Sequence, residues 1–333
     1  MKQMLFIAAF GVVAAIVPLL VGDNNPYILG ILISLLMMAA LSSAWNILGG
    51  YTGQYSFGHA AYFGAGAYTT LLLVLNFNFN PLLSIALGII TSVIIALITG
   101  SIVFRLRGHY FGLASIAVAE IVRLAVLNFE FTGGAQGLLL ADLAMWDIDL
   151  NSKLPFYYGM LIVLLATLAI TAYTVKAKTG YYLQAIREDQ DAASSLGINI
   201  SYYKNKSLVI SAALTSLLGS LYGLYIRFID THAVLDLRLS IEIILTAIIG
   251  GVGTLWGPVL GALVLVPLAE VLRSNLLGDM LVKAGIVSET SAIGIFLKEN
   301  LAHAHVLVYG IITVLCILYL PKGILGLLRR AKK

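Results

Sequence analysis

Residues 239–271 read LSIEIILTAIIGGVGTLWGPVLGALVLVPLAEV. This apolar run is too long for one membrane crossing, which takes about 20 residues. It is also cut by Gly250, Gly251, Gly253, Gly257 and Pro258, residues that end helices or break them beside protein-lined space. We therefore divide it into two short crossings, and that division sets on which side of a membrane the rest of the chain falls. The 333 residues around it are 60% hydrophobic and 11% charged, with a mean hydropathy of +0.97. Soluble domains carry about 25% charged residues, so the chain reads as an integral membrane protein. Its one cysteine, Cys316, excludes an internal disulfide scaffold. The formal charge of +4 is small, and the placement of charges matters more than their sum.

Full-length apolar candidates occur at residues 4–21, 27–48, 81–104, 110–129, 156–175 and 208–228, with shorter ones at 60–75 and 304–320. Together with the divided segment they predict an all-α polytopic fold of about ten crossings, two of them short and glycine-interrupted. Lys2 and the first apolar run look like a secretory signal. The run is longer than a typical signal core and no small-x-small cleavage site follows before Asp23, so it reads as a spanning helix.

Basic residues test the parity, because they concentrate in cytoplasmic connections. With the N-terminus inside, Lys2, Arg105, Arg107, Lys176, Lys178, Arg187, Lys204, Lys206, Lys322, Arg329, Arg330, Lys332 and Lys333 are cytoplasmic. Only Lys153, Arg227, Arg238, Arg273, Lys283 and Lys298 fall outside, with Arg123 at membrane depth. Both termini are then cytoplasmic. Reading 239–271 as one crossing would instead expose the basic tail outside.

Two outer connections, 130–155 and 273–299, are polar and mainly acidic. They suit either a soluble extracytoplasmic partner or simple solvation. The inner connection 176–206 alone has room for an element of its own. Within it, residues 181–196 lack Gly and Pro, and Leu183, Ile186, Ala193 and Leu196 recur at near-helical spacing before Gly197. One short amphipathic helix is predicted there, ended by the glycine. It would act as a lever seated in a partner, or lie on the membrane surface. As a lever it would offer Arg187, Glu188, Asp189 and Asp191 as a polar rim and Ile186, Ala193 and Leu196 as an apolar seat. No Walker A spacing occurs anywhere, so energised transport would need an ATPase on another chain.

Asp191-Ala192-Ala193, three residues and then Gly197 resemble the EAA loop through which permeases of ABC importers contact their ATPases. Asp replaces the usual Glu, and the trailing Leu-Pro is missing. The flanking residues 183–189 and 195–199, with the stretches 49–60, 107–113, 119–124, 132–137 and 250–258, are similar to the M-type permease subunit of branched-chain amino-acid ABC transporters. The likeness runs from about residue 41 to 273. It implies a multi-pass permease of the bacterial inner membrane that carries leucine, isoleucine and valine by alternating access and is not itself an enzyme. It further implies cytoplasmic ABC ATPase subunits, a second homologous permease and an extracytoplasmic amino-acid-binding protein as partners, with no cofactor. Urea and short-chain amide permeases share these stretches, and a passive channel is a further alternative.

Candidate path residues follow from polar or flexible groups at membrane depth. Gly53, Gln54, Ser56 and Gly58 combine flexible backbone with polar side chains, and Gly250, Gly251 and Gly253 form the second glycine stretch. Ile47-Leu48-Gly49-Gly50 and Ile248-Ile249-Gly250-Gly251 also hint at an internal repeat. Glu120 and Arg123 lie three apart on one helix face, where they would meet a zwitterion or form a packed structural pair. Asn128, Thr132 and Gln136 are secondary candidates near the outer end. The histidines are dispersed and lack the spacing of a metal site. Neither HExxH nor GxSxG occurs, so a membrane-embedded enzyme has no positive support. Nothing points to nucleic acid.

Overall fold

The computed structural model describes residues 2–21, 25–106, 108–140, 152–273, 310–311, 314–315, 318 and 323–330. Most of the candidate crossing at 304–320 and nearly all of the outer connection 273–299 lie outside the described residues, as does 141–151 of the other. Helices α1 (Lys2–Val21), α2 (Pro26–Thr52), α3 (His59–Phe77), α4 (Pro81–Val103), α5 (His109–Asn128) and α6 (Leu154–Lys176) are followed by α7 (Lys178–Glu188) and α8 (Gln190–Ser195). After them come α9 (Ile200–Ile226), α10 (Thr231–Val234), α11 (Leu237–Gly250), α12 (Gly257–Arg273) and α13 (Gly323–Arg330). Among the described residues seven helices, α1 to α6 and α9, are long and apolar enough to cross a membrane. The chain is an all-α polytopic membrane protein. The break read from the glycines at 250–257 is present, with α11 and α12 on either side of it.

Where each helix begins follows from local chemistry. Pro26, Pro81 and Pro155 sit in the first turns of α2, α4 and α6, where the missing N–H costs nothing. The Asn80 and Asn199 side chains accept from Leu82 N and Tyr202 N, capping α4 and α9. Asp189 does the same for α8, its Oδ1 accepting from Asp191 N at 2.8 Å and Ala192 N at 3.0 Å.

That cap corrects the single helix expected over 181–196. Asp189 takes an extended backbone (φ −155°, ψ 115°), so the segment is two helices meeting at a corner. A carboxylate that satisfies two otherwise orphan N–H groups offers the chain an alternative to continuing the first helix. Gly197, at φ 83°, closes α8. Its N–H reaches Ser194 O and the Ile198 N–H reaches Ala193 O, the Schellman arrangement that a glycine favours.

The second half of α2 is buried on all sides, against α6, α9, α11 and α12. The centre of the bundle is α3 against α9, held by small residues and hydroxyls. A Cβ on Gly219 would lie 2.0 Å from the Phe63 carbonyl oxygen, so only glycine permits this approach. Thr70 Oγ1 donates to Ser220 Oγ at 2.8 Å, Ser211 Oγ donates to Ala44 O at 2.7 Å, and His59 Nε2 lies 2.7 Å from Ser211 Oγ. In a lipid surrounding, apolar burial alone does not hold helices together, and such contacts take its place.

Contacts also set the direction of each helix. Ala14 faces Tyr157, whose hydroxyl donates to its carbonyl at 2.7 Å, and Gly11 faces Leu165. Thus α1 runs antiparallel to α6, and its start lies at the α7 end of the bundle. Gly323, at the start of α13, packs on Gly251, so α13 lies at that end too. The opposite end carries the pairing of Leu138–Leu139 with Phe228–Ile229, with Leu138 opposite Ile229.

Gly219→Leu is expected to lower the thermal unfolding midpoint of the detergent-purified protein, by an amount equivalent to about 1–3 kcal/mol of overpacking. Gly159, where an added Cβ finds its nearest neighbour 3.9 Å away, should accept alanine with no loss.

Candidate functional site

The two glycine stretches come together at the α7 end of the bundle. Asn46, fully enclosed in α2, holds them with both ends of its amide. Its Nδ2 donates to Thr254 O at 2.9 Å, and its Oδ1 accepts from Gly253 N at 2.8 Å. The loop between α11 and α12 is thereby fastened to the last turns of α2. Thr254 closes that loop on itself, donating to Gly251 O at 2.6 Å and accepting from Gly257 N at 3.1 Å. A Cβ on Gly50 would lie 2.6 Å from Gly253 N, so the backbones touch and no side chain fits between them.

Arg187 enters this junction from α7. Its Nη1 donates to Gly50 O at 2.7 Å, a carbonyl in the last turn of α2 that has no partner further along its own helix. A cation at a helix C-terminus is also favoured by the aligned peptide dipoles. The arginine stem lies along Gly53, which ends α2 in the left-handed region at φ 69°, and its guanidinium lies beside Gly253. One side chain thus touches α2, the turn after it and the α11–α12 loop.

A second tie fastens α8. Lys204 is almost wholly buried on α9; its Nζ donates to Gln190 Oε1 at 3.0 Å and sits 5.7 Å from the Phe104 ring centroid. Phe104 is stacked on Phe111 at 5.2 Å, so the same lysine reaches the turn joining α4 to α5. The pair α7–α8 is a rigid cap anchored at two points.

The expected partner seat on this cap needs correction. Ile186 and Ala193 are buried against the chain's own helices, at 1% and 2% exposure, because the apolar stripe of α7–α8 packs on the bundle. Leu196, at 81% exposure, faces out with Glu188, Asp191, Ala192 and Gly197. Arg187 and Asp189 are exposed as well, the first also reaching into the junction and the second capping α8.

The remaining candidate path residues lie elsewhere. Gln54, Ser56 and Gly58 form the turn between α2 and α3 and are buried. Ser56 O accepts from Trp45 Nε1 at 2.8 Å, and Ser56 Oγ from Gly58 N at 3.2 Å. These contacts brace the turn. Glu120 and Arg123 form a bidentate pair on α5, at 2.5 and 2.8 Å, with the Glu120 side chain 48% exposed. The pair is away from the junction but within electrostatic reach of Asp236 at the start of α11. Asn128 donates to Leu124 O, and Thr132 to Val126 O and Phe129 O, both at the far end of α5. Gln136 is exposed in a short 3-10 turn. Among the described residues no group of three or more His, Cys, Asp or Glu is placed to hold a metal ion.

Two functional residues escaped the sequence reading, Asn46 and Lys204. An amide inside the apolar run 27–48 was the available signal for the first. Nothing in the sequence separates Lys204 from its solvated neighbour Lys206.

A family profile described as "Branched-chain amino acid transport system / permease component" matches residues 27–317. The high-affinity branched-chain amino acid transport system permease protein LivM of Salmonella typhimurium is 26% identical over 86% of this chain and 72% of its own length. A probable LivM of Methanocaldococcus jannaschii is 24% identical over 74% of this chain and 70% of its own length. The LivH permease protein of Salmonella typhimurium is 24% identical over 71% and 81%. No solved structure matches the chain.

Asn46→Leu should leave Gly253 N–H and Thr254 C=O buried without partners, a loss of about 1–3 kcal/mol per group. The expected readout is faster hydrogen exchange confined to 251–256. Asp189→Ala should speed exchange of the α8 amides by removing a cap that contributes about 1 kcal/mol, and Asp189→Asn should restore protection.

Proposed function

Because the chain belongs to the permease-component family of branched-chain amino acid transport systems, we propose that it is the M-type permease subunit of an ATP-driven importer that carries leucine, isoleucine and valine inward. The observation that carries the proposal is the reach of Arg187 from α7 into the junction of α2 with the α11–α12 loop. A load applied to the α7–α8 cap has a direct mechanical route to the two glycine breaks.

In this reading the α7 end of the bundle is cytoplasmic and holds both chain ends. The fold has about ten crossings, α11 and α12 being the two short ones. Alternate placement of basic residues supports this orientation, since Arg105, Lys176, Lys178, Arg187, Lys204 and Lys206 all gather at that end. The membrane is the bacterial inner membrane. A separate pair of ATPase subunits docks on Glu188, Asp191, Ala192, Leu196 and Gly197, and closure of that pair on ATP displaces the cap. Through Arg187 the displacement opens the Asn46–Gly253–Thr254 closure and converts an outward-facing permease into an inward-facing one. A homologous second permease completes the pathway, as the existence of both LivM and LivH permease proteins suggests. An extracytoplasmic binding protein delivers substrate to the outer connections 130–155 and 273–299. ATP hydrolysis belongs to the ATPase subunits, and this chain performs no chemistry.

The test is uptake into vesicles holding this chain, its companion permease, the ATPase subunits and the binding protein. Leucine should accumulate only with ATP, whereas accumulation of urea, or leucine flux without ATP, would defeat the proposal. Leu196→Asp with Asp191→Lys should weaken capture of the ATPase. Arg187→Ala should leave capture and ATP hydrolysis in place yet lower leucine uptake by roughly tenfold or more, in keeping with about 1.5–3 kcal/mol for a hydrogen bond to a charged group.

A further inference from the structure

A cavity of about 570 Å³ is lined by the half of α2 that precedes the junction, by α11 and α12, and by Gly310. The same three segments close below it. A Cβ on Gly261 would sit 2.0 Å from Thr246 O, and one on Gly250 would sit 1.8 Å from Gly257 O, so α11 and α12 touch backbone to backbone under the cavity. The Asn46 bonds to Gly253 and Thr254 lie beyond that contact. The space is therefore a chamber shut on the side that faces α7.

Its lining is divided in two. Near its mouth stand Asp236, Arg238, Glu242 and Glu270. Arg238 Nε donates to Glu242 Oε1 at 3.1 Å, and Glu270 Oε1 accepts from the Tyr27 hydroxyl at 2.7 Å. Each carboxylate can accept about four hydrogen bonds, so three of them beside one guanidinium leave ample acceptor capacity for an added ammonium group. The guanidinium supplies the planar donor set that recognises a carboxylate. Deeper in, the walls are apolar and include Met37, Met38, Leu245, Leu265 and Val266.

We propose that this chamber binds the transported molecule, an α-amino acid with a branched aliphatic side chain, with its ammonium and carboxylate at the charged mouth and its side chain on the methionine and leucine walls. The volume lies within the roughly 300–1,000 Å³ of small-molecule sites, which are mostly apolar with a few placed polar groups. Two adjacent methionines adapt their shape and so accept leucine, isoleucine and valine alike. Urea has no apolar part, and the inner walls would gain nothing by enclosing it. The charge of the mouth also opposes an anionic solute. The proposal rests on the importer reading and gives it a place for the substrate. The Glu120–Arg123 pair on α5 is left with a structural role.

The test uses the assembled transporter in vesicles, with Cys316→Ser and Leu245→Cys in this chain and a small impermeant maleimide outside. The cysteine should react, and leucine near its half-saturating uptake concentration should slow the reaction several-fold, while urea and lactate should not. Leu245→Trp should raise the KM for leucine at least tenfold. Leu263→Trp, on the exposed side of α12, should leave KM alone. Reaction that leucine does not slow, or a cysteine that never reacts because lipid or the companion permease fills the space, would overturn the chamber. If the parent transporter carries no leucine, the importer reading fails by itself. Protection of the cysteine, a measure of binding, then still decides the chamber.

Discussion

A backbone N–H or C=O left without a partner inside a bilayer costs several kcal/mol, and the arrangement of this protein follows from where its helices break that rule and how they are repaired. α2 ends two residues past Gly49 and Gly50, with Gly53 as its cap, and α11 ends at Gly250 and Gly251, and the two ends lie against each other. Every carbonyl and N–H released by those endings must be met locally. Asn46, Thr254 and Arg187 meet them. The repair is possible because glycines allow the two backbones to touch, which brings the loop within reach of one amide and one guanidinium. The same closeness that satisfies the hydrogen bonds seals the bundle at that end.

A seal built from few hydrogen bonds and no large side chains is also one that can open. Interdigitated leucines would have to be repacked, whereas the Asn46 amide and the loop backbone can exchange one set of polar partners for another as water enters. In the proposed mechanism a load reaches the seal through α7 and α8. α7 and α8 are short helices meeting at the Asp189 cap, their apolar stripe is packed on the bundle, and Lys204 ties the second of them to α9 and to the stacked pair Phe104 and Phe111. In the proposed mechanism a force on the exposed rim is passed on as displacement through these contacts. The central pair α3 and α9, locked through Gly219 and the Thr70–Ser220 and His59–Ser211 contacts, supplies the frame against which such a displacement acts.

Charge follows the same economy. Among the described ionisable groups Glu120 pairs with Arg123 and Arg238 with Glu242, and the interior of the bundle is served mainly by hydroxyls, with the Asn46 amide and His59. A solute with balanced charges and an apolar body passes such an interior without requiring a compensating ion. This links the composition of the chain to the chemistry proposed for its chamber.

Hydropathy and the near-absence of charge determined, from the sequence by itself, that the chain is an all-α membrane protein, where the seven long helices among the described residues run, and that the stretch 239–271 is two helices. These are local properties: a run of apolar residues is stable as a helix in lipid whatever surrounds it, and the glycines from 250 to 253 end one. The family was legible for the same reason, in contiguous stretches such as 49–60 and 250–258. Tertiary structure decided which residues meet. Periodicity placed Ile186 and Ala193 on an apolar stripe, but only packing shows that the stripe faces the chain's own bundle and leaves Leu196 to the outside. Arg187, read as a rim charge, bonds a carbonyl 137 positions away, and Asn46 joins segments more than 200 apart. Hydropathy is additive along the chain, whereas a hydrogen bond depends on the position of both partners to within a few tenths of an ångström, and only the packed bundle fixes those positions.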